Sequence, residues 1–391
     1  MKILMLAPQP FFEPRGTPLS ILGRLRALSE LDHHVDLVTY HLGRDVAIPN
    51  VIIHRTPCIK FIKAVKVGPG LTKLFLDILL FAKAIYLLTK NRYDLLHTHE
   101  EAAFFGVVLA KLFGIKHLYE MHSSLPQQLS NFRFTRFRPL IRVFEWLESV
   151  AVKSSDAVVT ICPALEEHVE KVYGRVGSVM IENVPIADYL ETTTEEHIRK
   201  LKAAYSLNGE KIVLYTGTFE HYQGVGLLLW SALRVLRQRQ DVVFVLVGGN
   251  VEQVRYFQDW VNQAGWSSHF YFIGTRPPEE IPGLVQISHI LVSPRITGTN
   301  TPLKIYSYLQ SGKPIVATNI YSHSQVLNPD VAVLAEPNPA AFAQGILSVL
   351  EDVSLAARLG AQARMLSEGR YNLQTYIQKT ERALQMATGK A

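Results

Sequence analysis

A polar loop of small residues between two apolar runs carries the clearest chemical signal in the sequence. It extends from Ser293 to Pro314, with apolar residues before it at 289–292 and after it at 315–317. Thr301 is placed to cap a helix whose first position is Pro302, and Gly312 supplies a left-handed exit. Unpaired backbone N–H groups and the helix dipole at such a start favour a phosphate group. The sequence therefore predicts phosphate binding by Asn300, Thr301 and Lys304; the alternative is an ordinary capped helix.

Glycine and polar residues also follow other apolar runs. Gly16 and Thr17 open a predicted helix after the first run, Glu100 and Glu101 follow another, and His122 follows residues 117–121. Glycine lets a backbone approach a ligand, and carboxylates can orient a polar acceptor. The competing interpretations are a simple turn at Gly16, helix-start capping by the two glutamates and a structural role for His122.

Two further histidines, His97 and His99, alternate along the end of a predicted strand. We expect only one of them to face the ligand side of the sheet. The chain contains no Asp-x-Asp pair. A diphosphate bridged by a metal ion is therefore not expected, and neither is another cofactor.

Alternating strands and helices must position these residues. Short, continuous apolar runs predict parallel strands that are buried on both faces, and helical patterns fill most of the gaps. The first series of predicted strands is 2–7, 35–40, 51–55, 95–98, 117–121 and 157–161. The second series is 212–215, 242–247, 270–273, 290–292, 315–317 and 332–335.

Two such series predict an α/β protein with two doubly wound, Rossmann-like domains, which suits a chain of 391 residues. A change of composition at 183–188 predicts a first domain over 1–185 and a second over 186–371. Ligands of doubly wound sheets bind beyond the carboxyl ends of the strands, so we expect the site in the cleft between the domains.

Composition narrows the class of protein. The chain is 48% hydrophobic and 19% charged, which indicates an ordered globular protein. Cys58 and Cys162 cannot form a disulfide framework, and a reducing cytoplasm fits them. The apolar segment 71–89 contains Lys73, Asp77 and Lys83, which favours a helix packed on a sheet over a membrane span.

The net charge of +6 is concentrated in two basic patches. One contains four lysines at 60, 63, 66 and 73. The other contains Arg133, Arg136 and Arg138 interleaved with phenylalanines, which predicts a surface for anionic lipid headgroups. Its alternative is a solvated helix face with buried aromatic rings. Nucleic acid is not expected, because no recognition motif accompanies the charge.

In its motifs the chain resembles the retaining glycosyltransferases of family 4, which have the GT-B fold. The motifs are residues 2–8, 93–99, 155–160, 215–217, 247–249 and 312–318. The resemblance implies that the first domain binds the acceptor and the second binds a nucleotide-diphosphate sugar. It also implies that a C-terminal helix at about 372–391 packs back on the first domain, and that His122 is catalytic and reaches toward the donor sugar.

The chain departs from the family pattern at four positions. The family usually has an arginine and a lysine on the diphosphate where this chain has Thr218 and Gln223. It usually has two glutamates, eight residues apart, where this chain has Thr299 and Ser307. The resemblance then implies a diphosphate held by the helix start, Lys304 and Arg295, with these four neutral side chains lining the donor site.

The sequence thus predicts a retaining, metal-independent glycosyltransferase of the hexosyltransferase type in polysaccharide biosynthesis. Its acceptor is a glycan or a lipid-linked sugar, oriented by Glu100 and Glu101, and the protein is cytoplasmic, peripheral at the inner face of the membrane. The alternatives are a sugar-nucleotide epimerase, which needs carboxylates in the second domain, and a non-catalytic binding protein that kept the fold.

Overall fold

The computed structural model describes residues 1–13, 16–65, 70–126, 138–174, 176–185, 194–205 and 209–389. The chain forms two compact units. The first comprises Met1–Asn183 with Gln374–Ala391, and the second comprises Val184–Leu373.

The first unit is a parallel sheet with helices between its strands. Its elements are β1 (Lys2–Ala7), α1 (Gly16–Glu30), β2 (His34–Thr39), β3 (Val51–Arg55), α2 (Leu71–Lys90), β4 (Leu95–His99), α3 (Ala102–Phe113), β5 (Lys116–Met121), α4 (Arg138–Ser154), β6 (Ala157–Thr160), α5 (Pro163–Tyr173) and β7 (Ser178–Met180). The strand order is β3-β2-β1-β4-β5-β6-β7.

The second unit repeats this plan. Its elements are α6 (Glu195–Ala204), β8 (Lys211–Thr216), α7 (Val225–Leu236), β9 (Val242–Val247), α8 (Val251–Gln263), β10 (Phe270–Gly274), α9 (Ile281–Ile287), β11 (Ile290–Ser293), α10 (Lys304–Ser311), β12 (Ile315–Thr318), α11 (Tyr321–Ser324), β13 (Val333–Ala335), α12 (Pro339–Glu351) and α13 (Val353–Arg370). The strand order is β10-β9-β8-β11-β12-β13. In both sheets the order reverses next to the first strand, as in doubly wound folds.

The predicted α/β fold class is confirmed. Each predicted strand matches an observed strand to within one residue at either end. The sequence analysis missed β7, which has three residues and pairs only with β6 at the sheet edge. Its apolar content is too short to stand out as a run.

The segment predicted as a helix on a sheet is α2. Leu76, Leu80 and Ala84 are fully buried and pack in one cluster with Leu4 and Leu6 of β1. Among the described residues, no single helix is long and apolar enough to cross a membrane; residues Pro339–Glu351 and Val353–Thr388 reach that composition only together, across a 99° bend.

The last helix, α14 (Leu373–Thr388), belongs to the first unit. The guanidinium of Arg24 on α1 donates to the Thr380 hydroxyl and lies 4.6 Å from the Tyr376 ring centre. Lys379 forms an ion pair with Glu182. These contacts join the end of the chain to α1 and to the segment after β7 of the first unit.

Candidate active site

Glycines bring the strand ends of the second unit into close contact. Gly217, Gly224 and Gly248 have φ of 143°, 73° and 122°, in the region that favours glycine. A Cβ atom on Gly248 would lie 1.8 Å from the Gly217 carbonyl oxygen, and one on Gly224 would lie 1.9 Å from the Pro294 oxygen. Only glycine fits these two contacts, so backbone atoms rather than side chains meet at these two points of the carboxyl edge.

Lys304 reaches this edge from the first position of α10. Its Nζ donates to the Thr216 carbonyl oxygen at 2.9 Å and lies 4.1 Å from the centre of the Tyr215 ring. Burial, and then the charge of Arg295, hold the pKa of Lys304 well below its usual range. The charged group that acts on Lys304 is therefore another cation, and an anion bound nearby would favour the charged form of Lys304.

Arg295 organises the loop between β11 and α10. Its Nε donates to the Thr297 oxygen at 2.8 Å and its Nη1 to the Asn300 oxygen at 2.9 Å. A Cβ atom on Gly298 would lie 2.1 Å from Nη2 of this guanidinium. Arg295 thus holds the loop closed while keeping its charge near Lys304.

The predicted cap at Thr301 is wrong. The helix begins at Lys304, after Leu303, and the buried Thr301 hydroxyl has no hydrogen-bond partner among the described residues. The N–H groups of residues 305 and 306 instead donate to the carbonyls of Pro302 and Leu303, so backbone bonds close the first turn. The exit is as predicted, with Gly312 at φ 68°.

The remaining donor-site candidates of the second unit lie in the loops after β8 and β11 and on α10. The Thr218 carbonyl accepts from the Tyr215 hydroxyl at 2.7 Å, and the side chain of Thr218 is exposed. The buried Oε1 of Gln223 has no partner among the described residues. The Thr299 hydroxyl donates to the Asn300 side chain at 3.2 Å. Ser307 is half-buried on α10.

His323, which the sequence analysis missed, supports this loop. Its Nε2 lies 2.8 Å from the Ser293 hydroxyl and its Nδ1 lies 2.9 Å from the Thr318 oxygen, so it joins the ends of β11 and β12. Burial lowers the pKa of His323 to about 3. His323 is therefore an uncharged side chain that holds the two strand ends together. In the sequence it is marked only as a polar residue soon after a strand.

Three imidazoles stack at the carboxyl edge of the first sheet. His97 and His99 have ring centres 4.7 Å apart, and His99 and His122 have ring centres 5.2 Å apart. Nδ1 of His99 lies 3.0 Å from Nε2 of His122. The expectation that only one of His97 and His99 faces the ligand side is wrong, because residues i and i+2 of a strand share a face.

A buried ion pair anchors this histidine cluster. Glu120 is fully buried, lies 2.9 Å from Nε of Arg24 and accepts from Nε2 of His97 at 3.0 Å. Although burial raises a carboxyl pKa, the Arg24 guanidinium and the histidines hold the pKa of Glu120 well below its usual range. Burial lowers the pKa of His97 and His99. The sequence signal was the pair of i, i+2 spacings, His97-x-His99 and Glu120-x-His122.

Donor atoms of His97, His99 and Glu120 lie within 4.8 Å of one another, a spacing compatible with a metal ion. The Arg24 guanidinium already neutralises the single carboxylate of this set. A divalent cation would have to enter a buried pocket beside that fixed positive charge. The cluster therefore fits an ion-pair network and does not fit a metal site.

Glu100 and Glu101 lie in a second polar cluster, centred on Lys73 of α2. Nζ of Lys73 lies 3.8 Å from Glu100 and also pairs with Glu101. Burial raises the pKa of Glu101, and burial and Glu101 raise the pKa of the neighbouring Asp77 to about 8. Glu101 precedes α3 without a side-chain capping bond, so helix-start capping is not its role.

Gly16 and Thr17 form the start of α1 in the first unit, and a Cβ atom on Gly16 would meet no atom of the described residues within 4 Å. Arg138 is exposed at the start of α4. Arg133 and Arg136, the other predicted membrane residues, lie outside the described residues.

Family models match both units. Residues 16–183 match the model of glycosyltransferase family 4, and residues 197–365 match that of glycosyl transferases group 1. The chain belongs to the GT-B glycosyltransferases. The predicted enzyme class is thereby confirmed.

Known glycosyltransferases are similar to this chain over most or all of its length. Alpha-D-kanosaminyltransferase of Streptomyces kanamyceticus is 23% identical over 289 residues, which cover 70% of this chain and 71% of that protein. The structure of Anabaena Alr3699/HepE in complex with UDP and glucose matches with a TM-score of 0.76 and 19% identity over 98% and 99% of the two chains. Sucrose-phosphate synthase from Thermosynechococcus elongatus matches with a TM-score of 0.78 and 18% identity over the full length of both. At these identities the two structures are evidence for the fold.

Proposed function

We propose that this glycosyltransferase moves a hexose from a nucleotide-diphosphate sugar to a glycan or lipid-linked acceptor, with retention and without a metal ion. The observation that carries the donor class is the pairing of Lys304 with Arg295 at a glycine-lined strand edge. A buried cation whose charged neighbour is a second cation, beside exposed backbone, favours a diphosphate. The UDP in the similar Anabaena structure supports a nucleotide donor.

The leaving diphosphate is stabilised by groups that are already in place. Lys304 and Arg295 supply charge, and the start of α10 supplies backbone dipoles, so no reorganisation accompanies bond breaking. Thr218, Gln223, Asn300, Thr301 and Ser307 supply neutral hydrogen bonds around the nucleotide and sugar, and Thr299 borders the sugar. The bond from the anomeric carbon to phosphate oxygen breaks as the bond to the acceptor oxygen forms on the same face, and the departing phosphate takes the acceptor proton.

The first unit contributes the acceptor side in this proposal. His122 contacts the transferring sugar, and His99 and Glu120 hold its ring in place from behind. Glu100 and Glu101 orient the acceptor hydroxyl, with Lys73 keeping their charge balanced. Gly16 leaves open space for a ligand at the start of α1, where Thr17 adds a hydroxyl.

A lipid-linked acceptor would place the protein at a membrane. We propose a cytoplasmic protein, peripheral at the inner face of the membrane, that acts in polysaccharide biosynthesis. Arg138 is exposed, and with Arg133 and Arg136 it forms a basic stretch that suits anionic headgroups.

A thermal-shift panel of nucleotide diphosphates and nucleotide sugars tests the donor class. A ligand at a hundred times its Kd adds about 2.7 kcal/mol of stability. We expect a shift with at least one nucleotide-diphosphate sugar, and His122→Ala then lowers turnover much more than nucleotide affinity. If no nucleotide shifts the melting temperature, the non-catalytic alternative is correct. If His122→Ala leaves turnover unchanged, His122 is structural.

A further inference from the structure

Helix α2 has two apolar sides, and only one of them is used by the fold. Leu76, Leu80, Ala84, Leu87 and Leu88 are buried against the first sheet. The opposite side carries large apolar residues with 43% to 86% of their surface exposed. They are Leu71, Leu74, Phe75, Ile78 and Tyr86, which we call the α2 face. An exposed stripe of this kind along one helix marks an interaction surface.

Apolar residues beside α2 extend this surface. Phe61, in the segment that leads into α2, is 83% exposed. Val108 and Leu112 are exposed on α3, which packs beside α2. Exposed apolar residues therefore lie on two neighbouring helices and on the segment before α2, more than a single groove for a partner helix would use.

The charge around the α2 face selects its partner. Residues 57–92 contain seven lysines and arginines and one carboxylate, Asp77, a balance of +6 that equals the charge of the whole chain. Lys60, Lys63 and Lys90 are exposed, whereas Asp77 is half-buried and accepts from the Tyr40 hydroxyl. Two copies of such a surface would repel each other. An apolar stripe bordered by lysines matches an anionic bilayer, in which acyl chains lie below negative headgroups.

We propose that the α2 face, with Phe61 and the bordering lysines, docks the protein on anionic lipid bilayers. The helix lies parallel to the bilayer, with the apolar side chains at the level of the acyl chains and the lysines among the phosphates. This surface is distinct from the arginine stretch at 133–138. It does not depend on the transfer reaction, because bilayer binding requires no nucleotide.

Flotation of the full chain with vesicles tests the proposal. We expect binding to phosphatidylcholine vesicles that contain about a third phosphatidylglycerol, and weaker binding as salt rises. The double variant Phe75→Ser/Ile78→Ser should bind about tenfold less. Its matched control is Tyr256→Ser/Val353→Ser, which changes two apolar residues of the second unit that are more exposed than Phe75 and Ile78, and it should bind as the wild type does.

A second pair of variants tests the charge. Lys60→Glu/Lys63→Glu should lower binding by at least about tenfold, since each lysine near an anionic surface contributes roughly 1 kcal/mol. Arg255→Glu/Arg358→Glu makes the same change of net charge at exposed residues of the second unit and should have a much smaller effect. The same variants should keep the melting temperature and the nucleotide affinity of the wild type, which shows that the fold and the site of the second unit are intact.

Three outcomes would overturn the proposal: no binding of wild type to anionic vesicles, equal losses in the α2 variants and their controls, or a dimer in sedimentation velocity that Phe75→Ser/Ile78→Ser dissociates. The last result would assign the surface to a second copy of the chain. A loss of vesicle binding with intact nucleotide binding leaves the proposed donor site standing, so the two proposals fail independently.

Discussion

At the residue scale, Lys304 illustrates how the proposed anion site differs from a structural ion pair. Its hydrogen bond goes to a backbone carbonyl, and its low pKa follows from burial and a neighbouring arginine. A structural lysine in such a position would have a carboxylate partner, as Lys73 has. The missing counter-charge is what a bound diphosphate would supply.

Lys304→Ala should therefore weaken nucleotide binding by roughly 1.5–3 kcal/mol, as for a charged hydrogen bond. A bound anion raises the pKa of Lys304, so nucleotide binding to the wild type takes up a proton. The affinity for nucleotide therefore falls as pH rises above the pKa that Lys304 has in the protein without nucleotide. The variant loses this pH dependence. Calorimetry from pH 7 to 10 measures both effects. Lys313→Ala, which removes a half-buried lysine beyond the far end of α10, is the control and should bind normally.

Asp77 gives a second prediction at this scale. Its pKa is about 8 in the folded protein, raised from 3.8 by burial and by Glu101. A raised pKa means that the folded state binds the extra proton, so this stabilising contribution is complete below about pH 4 and is lost as pH rises toward 8. Asp77→Asn, which mimics the protonated acid, should gain melting temperature over the wild type progressively from pH 4 to 8. A gain that is constant with pH, or one shared by the exposed Asp330→Asn, would contradict the pKa shift.

At the element scale, the ends of β8 and β9 set the shape of the proposed donor site. The loops after them touch through backbone atoms, with the Gly217 carbonyl against Gly248. Side chains are excluded from this contact, and that is why glycine is needed there although the loops are exposed to solvent.

Gly248→Ala should lower both the melting temperature and the affinity for nucleotide. The new Cβ atom would lie 1.8 Å from the Gly217 oxygen, at a φ of 122° that alanine rarely adopts. Gly226→Ala is the matched control: it lies on α7 with nothing within 4 Å, and replacing a helical glycine should stabilise by roughly 0.5–1 kcal/mol. Thermal melts and nucleotide titrations of both variants, compared with the wild type, measure these two effects. Equal affinity in Gly248→Ala and wild type would show that this contact is remote from the ligand.

At the scale of the whole molecule, charge is distributed unequally. The balance of +6 in residues 57–92 means that the rest of the chain is close to neutral. In the proposed scheme, Arg295 and Lys304 of the second unit supply the positive charge on the phosphates, so phosphate stabilisation depends on both. No divalent ion is required in that scheme.

Transfer should consequently survive chelation. We expect turnover in excess EDTA to stay within about twofold of its value in magnesium, because the leaving group is stabilised by fixed cations and backbone dipoles. A magnesium-dependent transferase in the same buffer serves as the positive control. Loss of activity on chelation, with recovery on adding magnesium or manganese, would contradict the proposed leaving-group stabilisation.

The sequence by itself determined every strand except β7, their order along the chain and the residue at which α10 ends. Buried parallel strands are continuous apolar runs, so β1, β9 and β12 can be read from residue type alone. The left-handed residue that ends α10, Gly312, could also be predicted from residue type, because few other residues accept that conformation.

Tertiary structure decided which side chains meet. The register of β4 and β5 sets His99 opposite Glu120. Arg24 of α1 pairs with the same carboxylate, and three histidines surround it. Neither contact can be read from the order of residues along the chain. Thr301 has the right type to cap a helix, but the backbone turned into the helix two residues later. Likewise, a helix that is apolar on both sides carries no periodic signal, so which side of α2 is buried depended on the sheet it packs against.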